Sequence, residues 1–201
     1  MADTGFELSE RGVAEGLRAA LSSSGLTQTA FAAALGTSQS RLSTYLSGRV
    51  SPSASLFVRA RHVGEALAGI SGLHLLSAPT MGVALREALS KSDRDWAFRL
   101  LMQARDHLQL VLAQHPDLRV GWVAAPLSSG RLEWDTLSAA VSSREFIRIV
   151  LEPPAWTLRE PLPEPWTFPS ALLDPDEVRT ATPEWLARLN VFLPERDLVT
   201  A

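Results

Sequence analysis

Residues 25–52, GLTQTAFAAALGTSQSRLSTYLSGRVSP, predict two short helices joined by a tight turn. Thr27 is placed to cap the first helix, because a threonine hydroxyl accepts a hydrogen bond from a free backbone N–H at a helix start. Gly36 lies where that helix must stop, since glycine adopts the left-handed backbone conformation without a steric penalty. The pair Thr37-Ser38 then caps a second helix, Gln39–Leu46.

The second helix has two faces of different chemistry. Its apolar residues recur at helical spacing, as Leu42, Tyr45 and Leu46. The opposite face carries side chains with hydrogen-bond donors and acceptors, namely Gln39, Ser40, Arg41, Ser43 and Thr44. Groups of this kind read the edges of bases in the major groove of DNA.

A third helix is expected soon after the second. Gly48 ends the second helix and Arg49 follows it. Ser51-Pro52 has the pattern of a helix cap followed by proline at the first helical position. The expected helix covers residues 53–70, and residues 8–23 predict a further helix ahead of the quoted stretch.

The whole pattern, G-L-T-Q-x-x-F-A-x-x-L-G-T-S-Q-S-x-L-S-x-Y-x-x-G-x-x-x-P, resembles the Xre/Cro-type helix-turn-helix family, the lambda-repressor-like domains. The resemblance covers roughly residues 10–70, about a third of the chain. It is specific because the glutamine, alanine, serine and both glycines fall at their expected offsets together. It implies a four- or five-helix N-terminal domain that binds DNA.

The resemblance also implies roles for individual residues. Three match positions that reach base edges, namely Gln39, Ser40 and Thr44, and Gln39 is the candidate for a bidentate contact with adenine. Arg41 is expected to reach a base or a phosphate. The residues expected to contact the phosphate backbone are Gln28, Ser38, Ser43 and Arg49. Gln28 is also expected to brace the second helix.

Composition limits the class of protein. Hydrophobic residues make up 46% of the 201 positions and there are six tryptophans, which predicts a folded core. No apolar run approaches the roughly 20 residues that span a bilayer, so no membrane contact is expected. The first ten residues lack the basic and apolar regions of a secretory signal. The absence of cysteine excludes disulfides and thiolate metal sites, and is typical of a cytoplasmic protein.

The charge is distributed unevenly around a net value of −3. Arginines slightly outnumber acidic residues in residues 1–78, whereas the remainder of the chain is acidic. A mildly basic N-terminal segment followed by an acidic C-terminal region is typical of a DNA-binding protein with a second partner. Because the positive charge of residues 1–78 is small, a monomer should bind DNA weakly. A homodimer on an inverted-repeat operator in double-stranded DNA is therefore expected.

The segment Ser77-Ala78-Pro79-Thr80 favours a domain boundary. The expected division is a DNA-binding domain at 1–78 and a protein-interaction or dimerisation domain at 79–201. The fold class is accordingly mainly α, with a helical body after the N-terminal domain and a proline-rich extended segment at 152–183. Eight of the thirteen prolines lie in that segment, interleaved with aromatic residues, so we expect it to lie along a surface of its own domain or of a partner.

Several elements are expected between these segments. Helices are predicted at 82–91, 95–114, 133–150 and 183–189, with Ser92-Asp93 as the cap of the second of these. Residues 118–125 favour a short strand or an extended loop, and residues 190–198 a strand or a docked tail. The apolar face of 95–114 favours core packing over a partner surface.

No pattern typical of an enzyme is present. The sequence contains no glycine-rich phosphate loop, no G-x-S-x-G and no HExxH, and its four histidines have no partners at ligand spacing. The prediction is therefore a protein that is not an enzyme, without catalytic residues, cofactor or metal.

Two regulatory functions remain open. The first is a repressor that is also the antitoxin of a toxin–antitoxin module, regulating its own operon and binding a cognate toxin or another protein through residues 80–201. The second is a stand-alone or phage-type repressor whose C-terminal region dimerises or senses a ligand. Either would be bacterial or phage-encoded and cytoplasmic, associated with the nucleoid when bound to DNA.

Overall fold

The computed structural model describes residues 3–170 and 172–198, and within them the chain is mainly α-helical, as predicted. The α-helices are α1 (Asp3–Ser24), α2 (Gln28–Ala34), α3 (Gln39–Leu46), α4 (Ala54–Gly72), α5 (Ala78–Ser90), α6 (Arg94–Gln114), α7 (Val120–Val123), α8 (Leu132–Arg148), α9 (Pro175–Thr180) and α10 (Glu184–Ala187). Three 3₁₀ turns lie at Pro116–Leu118, Ala155–Thr157 and Glu195–Leu198. No described helix is long and apolar enough to cross a bilayer.

The chain forms two compact units, each built from separate segments. The first unit contains the residues up to Val83 together with His107–Leu127. The second contains Ala84–Asp106 together with the chain from Ser128 onward. The predicted boundary after residue 78 stays a prediction about domains.

The helix signals in the motif act as the sequence predicts. Thr27 and Ser38 are the N-caps of α2 and α3, and their hydroxyls accept hydrogen bonds from the N–H groups of Ala30 and Arg41. Gly36 and Gly48 follow the two helices with φ of +69° and +73°. Both glycines therefore occupy the left-handed conformation that a side chain would strain.

The start of α4 differs from the prediction. The helix begins at Ala54, and its N-cap is Ser53, not Ser51. The hydroxyl of Ser53 accepts a hydrogen bond from the N–H of Leu56 at 3.2 Å. Pro52 therefore precedes the cap, where its fixed φ suits the extended approach to the helix.

The first unit has its core between α1, α2, α3 and α4. Its buried side chains are Leu17, Ala20, Phe31, Ala32, Ala34, Leu35, Leu42, Ala60, Val63, Leu67 and Ala124. Helices α1 and α4 lie close together at Gly64. A β-carbon built on Gly64 would lie 2.7 Å from the carbonyl oxygen of Ala20 and 3.0 Å from its Cα. Backbone occupies the space that a side chain would need.

Replacing Gly64 by alanine should therefore force α1 and α4 apart. The expected loss in the free energy of unfolding is about 1–3 kcal/mol, typical of overpacking. The matched control is Gly12→Ala in α1, where nothing lies within 4 Å of the added carbon. That control should gain about 0.5–1 kcal/mol from helix propensity. Urea denaturation followed by circular dichroism measures both, and equal effects of the two substitutions would contradict the close approach.

Residues 118–125, for which the sequence favours a short strand or an extended loop, are mostly helical instead. The 3₁₀ turn at Pro116–Leu118 leads into α7, which packs on α4. Glycines of both helices permit this packing, because β-carbons on Gly69 and Gly121 would lie 2.7 Å from Leu118 and 2.4 Å from Ile70. Burial of the Trp122 side chain against the unit outweighs the weak local preference.

Residues 78–80 form the first turn of α5, and Ser77 directly precedes the helix. The backbone N–H of Ser77 donates to Oγ1 of Thr80 at 2.8 Å, and the N–H of Thr80 donates to Oγ of Ser77 at 3.3 Å. This reciprocal cap starts α5 at Ala78, four residues before the predicted start of the helix.

The second unit is organised around α8 and the front half of α6. Asp93 caps α6, as predicted, by accepting a hydrogen bond from the N–H of Trp96 at 3.0 Å. Helix α8 runs over Leu132–Arg148, close to the predicted 133–150. Its buried face includes Trp134, Leu137 and Phe146.

The proline-rich segment 152–183 is largely extended, as predicted, and two of its aromatic residues pack within the second unit. Trp166–Thr167 forms β1, which pairs in parallel with β2 (Val191–Phe192). The rings of Trp166 and Phe168 lie 5.8 Å from the ring of Trp134, and Phe168 also lies 4.8 Å from Phe98. The segment therefore supplies part of the core of its own unit.

The same segment contains one helix that was not predicted, because its prolines indicated extended structure. Asp174 and Glu177 form a capping box around α9, in which each side chain accepts a hydrogen bond from the other residue's backbone N–H. Pro175 occupies the first helical turn, where no amide hydrogen is needed. Proline is thus part of a helix start here, and not a helix breaker.

Candidate nucleic-acid interface

The polar face of α3 is turned away from the core of the first unit. At 100° per residue, Gln39, Ser40, Ser43 and Thr44 fall on one side of a helix and Leu42 on the other. The side chain of Leu42 has no exposed surface. Gln39, Ser40 and Ser43 are exposed and Thr44 is half-buried. The burial of Leu42 therefore determines which side chains α3 presents to solvent.

The start of α3 is fixed by its cap. Oγ of Ser38 accepts a hydrogen bond from the N–H of Arg41 at 3.2 Å and lies 3.1 Å from Oγ of Ser40. The two hydroxyls thus form a small cluster at the positive end of the helix, and both residues are exposed.

Gln28 connects the two helices of the motif. Its Nε2 donates a hydrogen bond to the backbone carbonyl of Gln39 at 3.4 Å. Gln28 is half-buried at the start of α2, and the bond reaches the first residue of α3. The hydrogen bond links the start of α2 to the start of α3, and the bracing role that the resemblance implies for Gln28 stays a prediction.

The end of α3 is a chain of short hydrogen bonds. The hydroxyl of Thr44 donates to the carbonyl of Arg41 at 2.7 Å, and that of Ser47 donates to the carbonyl of Thr44 at 3.0 Å. Nε of Arg49 donates to Oγ of Ser47 at 3.1 Å. Because its hydrogen is engaged, the Thr44 hydroxyl is left to act as an acceptor towards a ligand.

Arg18 is a residue of this region that the sequence analysis did not identify. Its Nε donates a hydrogen bond to the carbonyl of Leu46 at 2.9 Å, from α1 to the last residue of α3. A cation at this end of a helix is favourable because the C-terminus carries partial negative charge. No local pattern signals the contact, since 28 positions separate the two residues.

The charge of the interface is positive. Helix α3 has no acidic residue in its first turn. Neither Arg41 nor Arg49 forms an ion pair with a described residue, and both are exposed. Their charges are therefore available to phosphate groups.

Among the described residues, no group of three or more potential metal ligands is assembled.

Comparison with known proteins gives one match. A family model described as "Helix-turn-helix domain" matches residues 13–63, which contain α2 and α3 together with most of α1 and the first half of α4. No curated protein and no solved structure matches the chain. The matched segment contains residues 25–52, the stretch on which the resemblance rests. Helix-turn-helix DNA-binding families are typically not enzymes. Residues 13–63 are therefore similar to a helix-turn-helix domain, the kind of domain through which transcription regulators bind DNA.

Proposed function

We propose that this protein is a sequence-specific transcriptional repressor that binds an inverted-repeat operator as a homodimer. The observation that carries the proposal is the exposed polar face of α3, held by the Gln28–Gln39 hydrogen bond and by the burial of Leu42. A regulator that occupies an operator through such a helix blocks transcription without any catalytic step.

The roles of the interface residues follow from their chemistry. Gln39 has both a donor and an acceptor on one amide, which suits the N6 and N7 edge of adenine. Ser40 and Thr44 share its face, and Thr44 offers a hydroxyl acceptor and a methyl group. Arg41 lies at the edge of this face, within reach of a base or a phosphate. The proposed backbone contacts are Gln28, Ser38, Ser43 and Arg49.

Dimerisation is part of the proposal because the DNA-binding segment of a single copy has only a small positive charge with which to attract phosphate groups. Phosphate contacts supply most of the sequence-independent affinity for DNA, and each depends on a cation or a donor at the surface. Two copies on an inverted repeat would place their α3 helices about 34 Å apart, in successive major grooves.

Gln39→Ala and Arg49→Ala are expected to weaken DNA binding in different ways. Loss of Gln39 should cost about 1–3 kcal/mol on the operator and relax the preference at one base pair. Loss of Arg49 should weaken binding to all sequences alike and lower the salt slope by about one. The measurement is fluorescence anisotropy at several salt concentrations, with a duplex selected from a random library and with a scrambled duplex.

The control for this pair is Arg61→Gln, because Arg61 is paired with Glu65 on α4, outside the proposed interface. It should leave both duplexes unaffected. If Gln39→Ala weakened the selected and scrambled duplexes equally, Gln39 would be a backbone contact, and its assignment to a base would be wrong.

We propose further that the regulator is the antitoxin of a toxin–antitoxin module and binds its toxin through residues 80–201. The support is an acidic C-terminal region that leaves large apolar side chains exposed, among them Leu158 and Leu172. Such side chains are favourable anchors for a protein partner. Since the aromatic residues Trp166 and Phe168 pack within the second unit, the exposed leucines are better candidates for the contact.

Co-expression with the product of the adjacent gene tests the antitoxin proposal. A stoichiometric complex that is weakened by Leu158→Asp or Leu172→Asp, together with relief of toxicity, would support it. Absence of both complex and relief would leave a self-contained repressor. Because DNA binding is measured separately, failure here would not affect the repressor proposal.

A further inference from the structure

A groove lies within the first unit, beside the N-terminal half of α4. Its volume is about 740 Å³, which falls in the range of small-molecule sites in proteins. The residues that line it are Ala54, Ser55, Val58, Arg59, His62 and Val63 of α4, with Val120, Val123 and Ala124 from α7 and the residue after it. None of these residues belongs to the polar face of α3.

The packing of α7 on α4 explains why the groove exists. The two helices meet closely at Gly121, where a β-carbon would lie 2.4 Å from Ile70 and 3.4 Å from Leu67. The groove lies further towards the start of α4, where the lining residues on that helix are 54–63. Tight contact at one end of the pair thus leaves unfilled space at the other.

The lining has an amphipathic composition. Val63 and Ala124 are buried at the base, whereas the side chains of Val58 and Val123 are 49% and 45% exposed. Carbon makes up most of the lining surface. The one permanent charge is that of Arg59, which forms no ion pair with a described residue. His62 lies one turn further along α4 and adds a ring nitrogen to the same side.

We propose that this groove binds a small amphipathic carboxylate, a ligand with an apolar body and one acidic group. Apolar contact with the four valines, Val58, Val63, Val120 and Val123, would stabilise the body of the ligand in proportion to the area removed from water. The carboxylate would pair with the guanidinium of Arg59, a group that binds carboxylates with two parallel hydrogen bonds. A neutral or cationic ligand of the same shape would leave Arg59 unpaired or repel it.

Ligand binding at this groove would act on the DNA interface through Arg59. Nη1 of Arg59 lies 4.0 Å from the position of a β-carbon built on Gly36, in the turn between α2 and α3. Its charge therefore lies close to the helix-turn-helix and attracts phosphate. A carboxylate bound to Arg59 cancels that charge, and operator affinity should fall by about two- to fivefold.

Isothermal titration calorimetry of the full chain with octanoate, 1-octanol and octylamine tests the site without DNA. We expect one octanoate site per chain and weaker binding of the other two compounds. Arg59→Gln should weaken octanoate by about two- to fivefold and leave 1-octanol unchanged. Val58→Asp should weaken octanoate by about tenfold or more, because it places a like charge beside the carboxylate.

Matched controls separate the site from general effects of substitution. Arg61→Gln removes a guanidinium from the same helix, and Val83→Asp alters another partly exposed valine, and neither residue lines the groove. Both should bind octanoate like the unaltered protein. Equal losses in test and control variants, or no octanoate binding at all, would overturn the proposal. A dimer that dissociates on Val58→Asp, without octanoate binding, would also overturn it and assign the groove to a second copy of the chain.

The octanoate proposal is independent of the repressor proposal. Calorimetry reports occupancy of the groove whether or not the protein binds an operator. Anisotropy with the selected duplex, in the presence and absence of octanoate, then measures the coupling. Octanoate binding without any change in DNA affinity would retain the site and contradict the role of Arg59 in transmitting its occupancy.

Discussion

Trp134→Ala is expected to lower the free energy of unfolding of the second unit by about 3–5 kcal/mol, the range for truncation of a buried large aromatic residue. The side chain is 2% exposed. It packs on Trp166 and Phe168, both at 5.8 Å between ring centroids, so truncation also removes two aromatic pairs. Because these two residues belong to the proline-rich segment, the substitution should loosen that segment as well as α8.

Urea denaturation followed by tryptophan fluorescence measures this effect. Five of the six tryptophans belong to the second unit, so the signal reports mainly on it. The control is Trp96→Ala, whose side chain is 47% exposed and should cost less than about 1 kcal/mol. A loss at Trp134 no larger than that at Trp96 would show that the aromatic cluster does not stabilise the unit.

Leu42→Ala is expected to cost about 2–5 kcal/mol, as for other fully buried leucines. Leu42 is the buried residue of α3, and its side chain contributes to the core shared with α1, α2 and α4. Loss of this anchor leaves a cavity beneath the helix that is proposed to enter the major groove. DNA affinity should therefore fall together with stability, although Leu42 is not exposed to any ligand.

Thermal unfolding followed by circular dichroism, together with anisotropy on the selected duplex, measures both effects. Leu172→Ala is the matched control, because that leucine is 82% exposed and its loss should change stability by no more than about 0.5 kcal/mol. Partial rescue by Leu42→Met, which nearly conserves the volume, would confirm that packing causes the loss. A stable Leu42→Ala variant with normal DNA affinity would contradict the proposed anchoring of α3.

The elements that were predicted correctly are those whose signals lie within a few residues. Thr27 and Ser38 cap their helices through hydroxyls that bond to N–H groups three residues ahead. Gly36 and Gly48 end helices by adopting positive φ. In each case a single residue type favours one local geometry, so the sequence alone was sufficient.

Local ambiguity explains two of the errors. The segment Ser51-Pro52-Ser53 contains two serines that could cap α4. Because proline is common at the first helical position, Ser51 was predicted as the cap, but the cap is Ser53. In 120–123, four residues are too few to show helical periodicity, and Val120, Trp122 and Val123 favoured a strand. The observed helix depends on burial of Trp122 in the first unit, which is a tertiary effect.

Contacts between distant residues were beyond prediction. The pairing of β1 with β2 joins Trp166 to Val191, and the hydrogen bond from Arg18 to Leu46 joins α1 to α3. The groove beside α4 depends on α7, which follows α4 by nearly 50 positions. Neither spacing nor composition of a single segment indicates which other segment it will meet. The proposed base contacts, by contrast, lie on one short helix and could be proposed before the structure was known.

The interleaved segments of the two units have a consequence for how the chain is synthesised. Helices α1–α4 leave the ribosome well before α7. The surface of α4 at Leu67 and Ile70 therefore stays exposed until Gly121 has been synthesised and packs against it. Between the two, residues 84–106 emerge as part of a unit that is itself unfinished until the chain beyond Ser128 follows. Transiently exposed apolar surface of this kind promotes misassembly and chaperone binding. Shortened reading frames that stop between residues 72 and 119 should therefore yield a nascent chain that proteases remove, and a cell would accumulate little partial regulator.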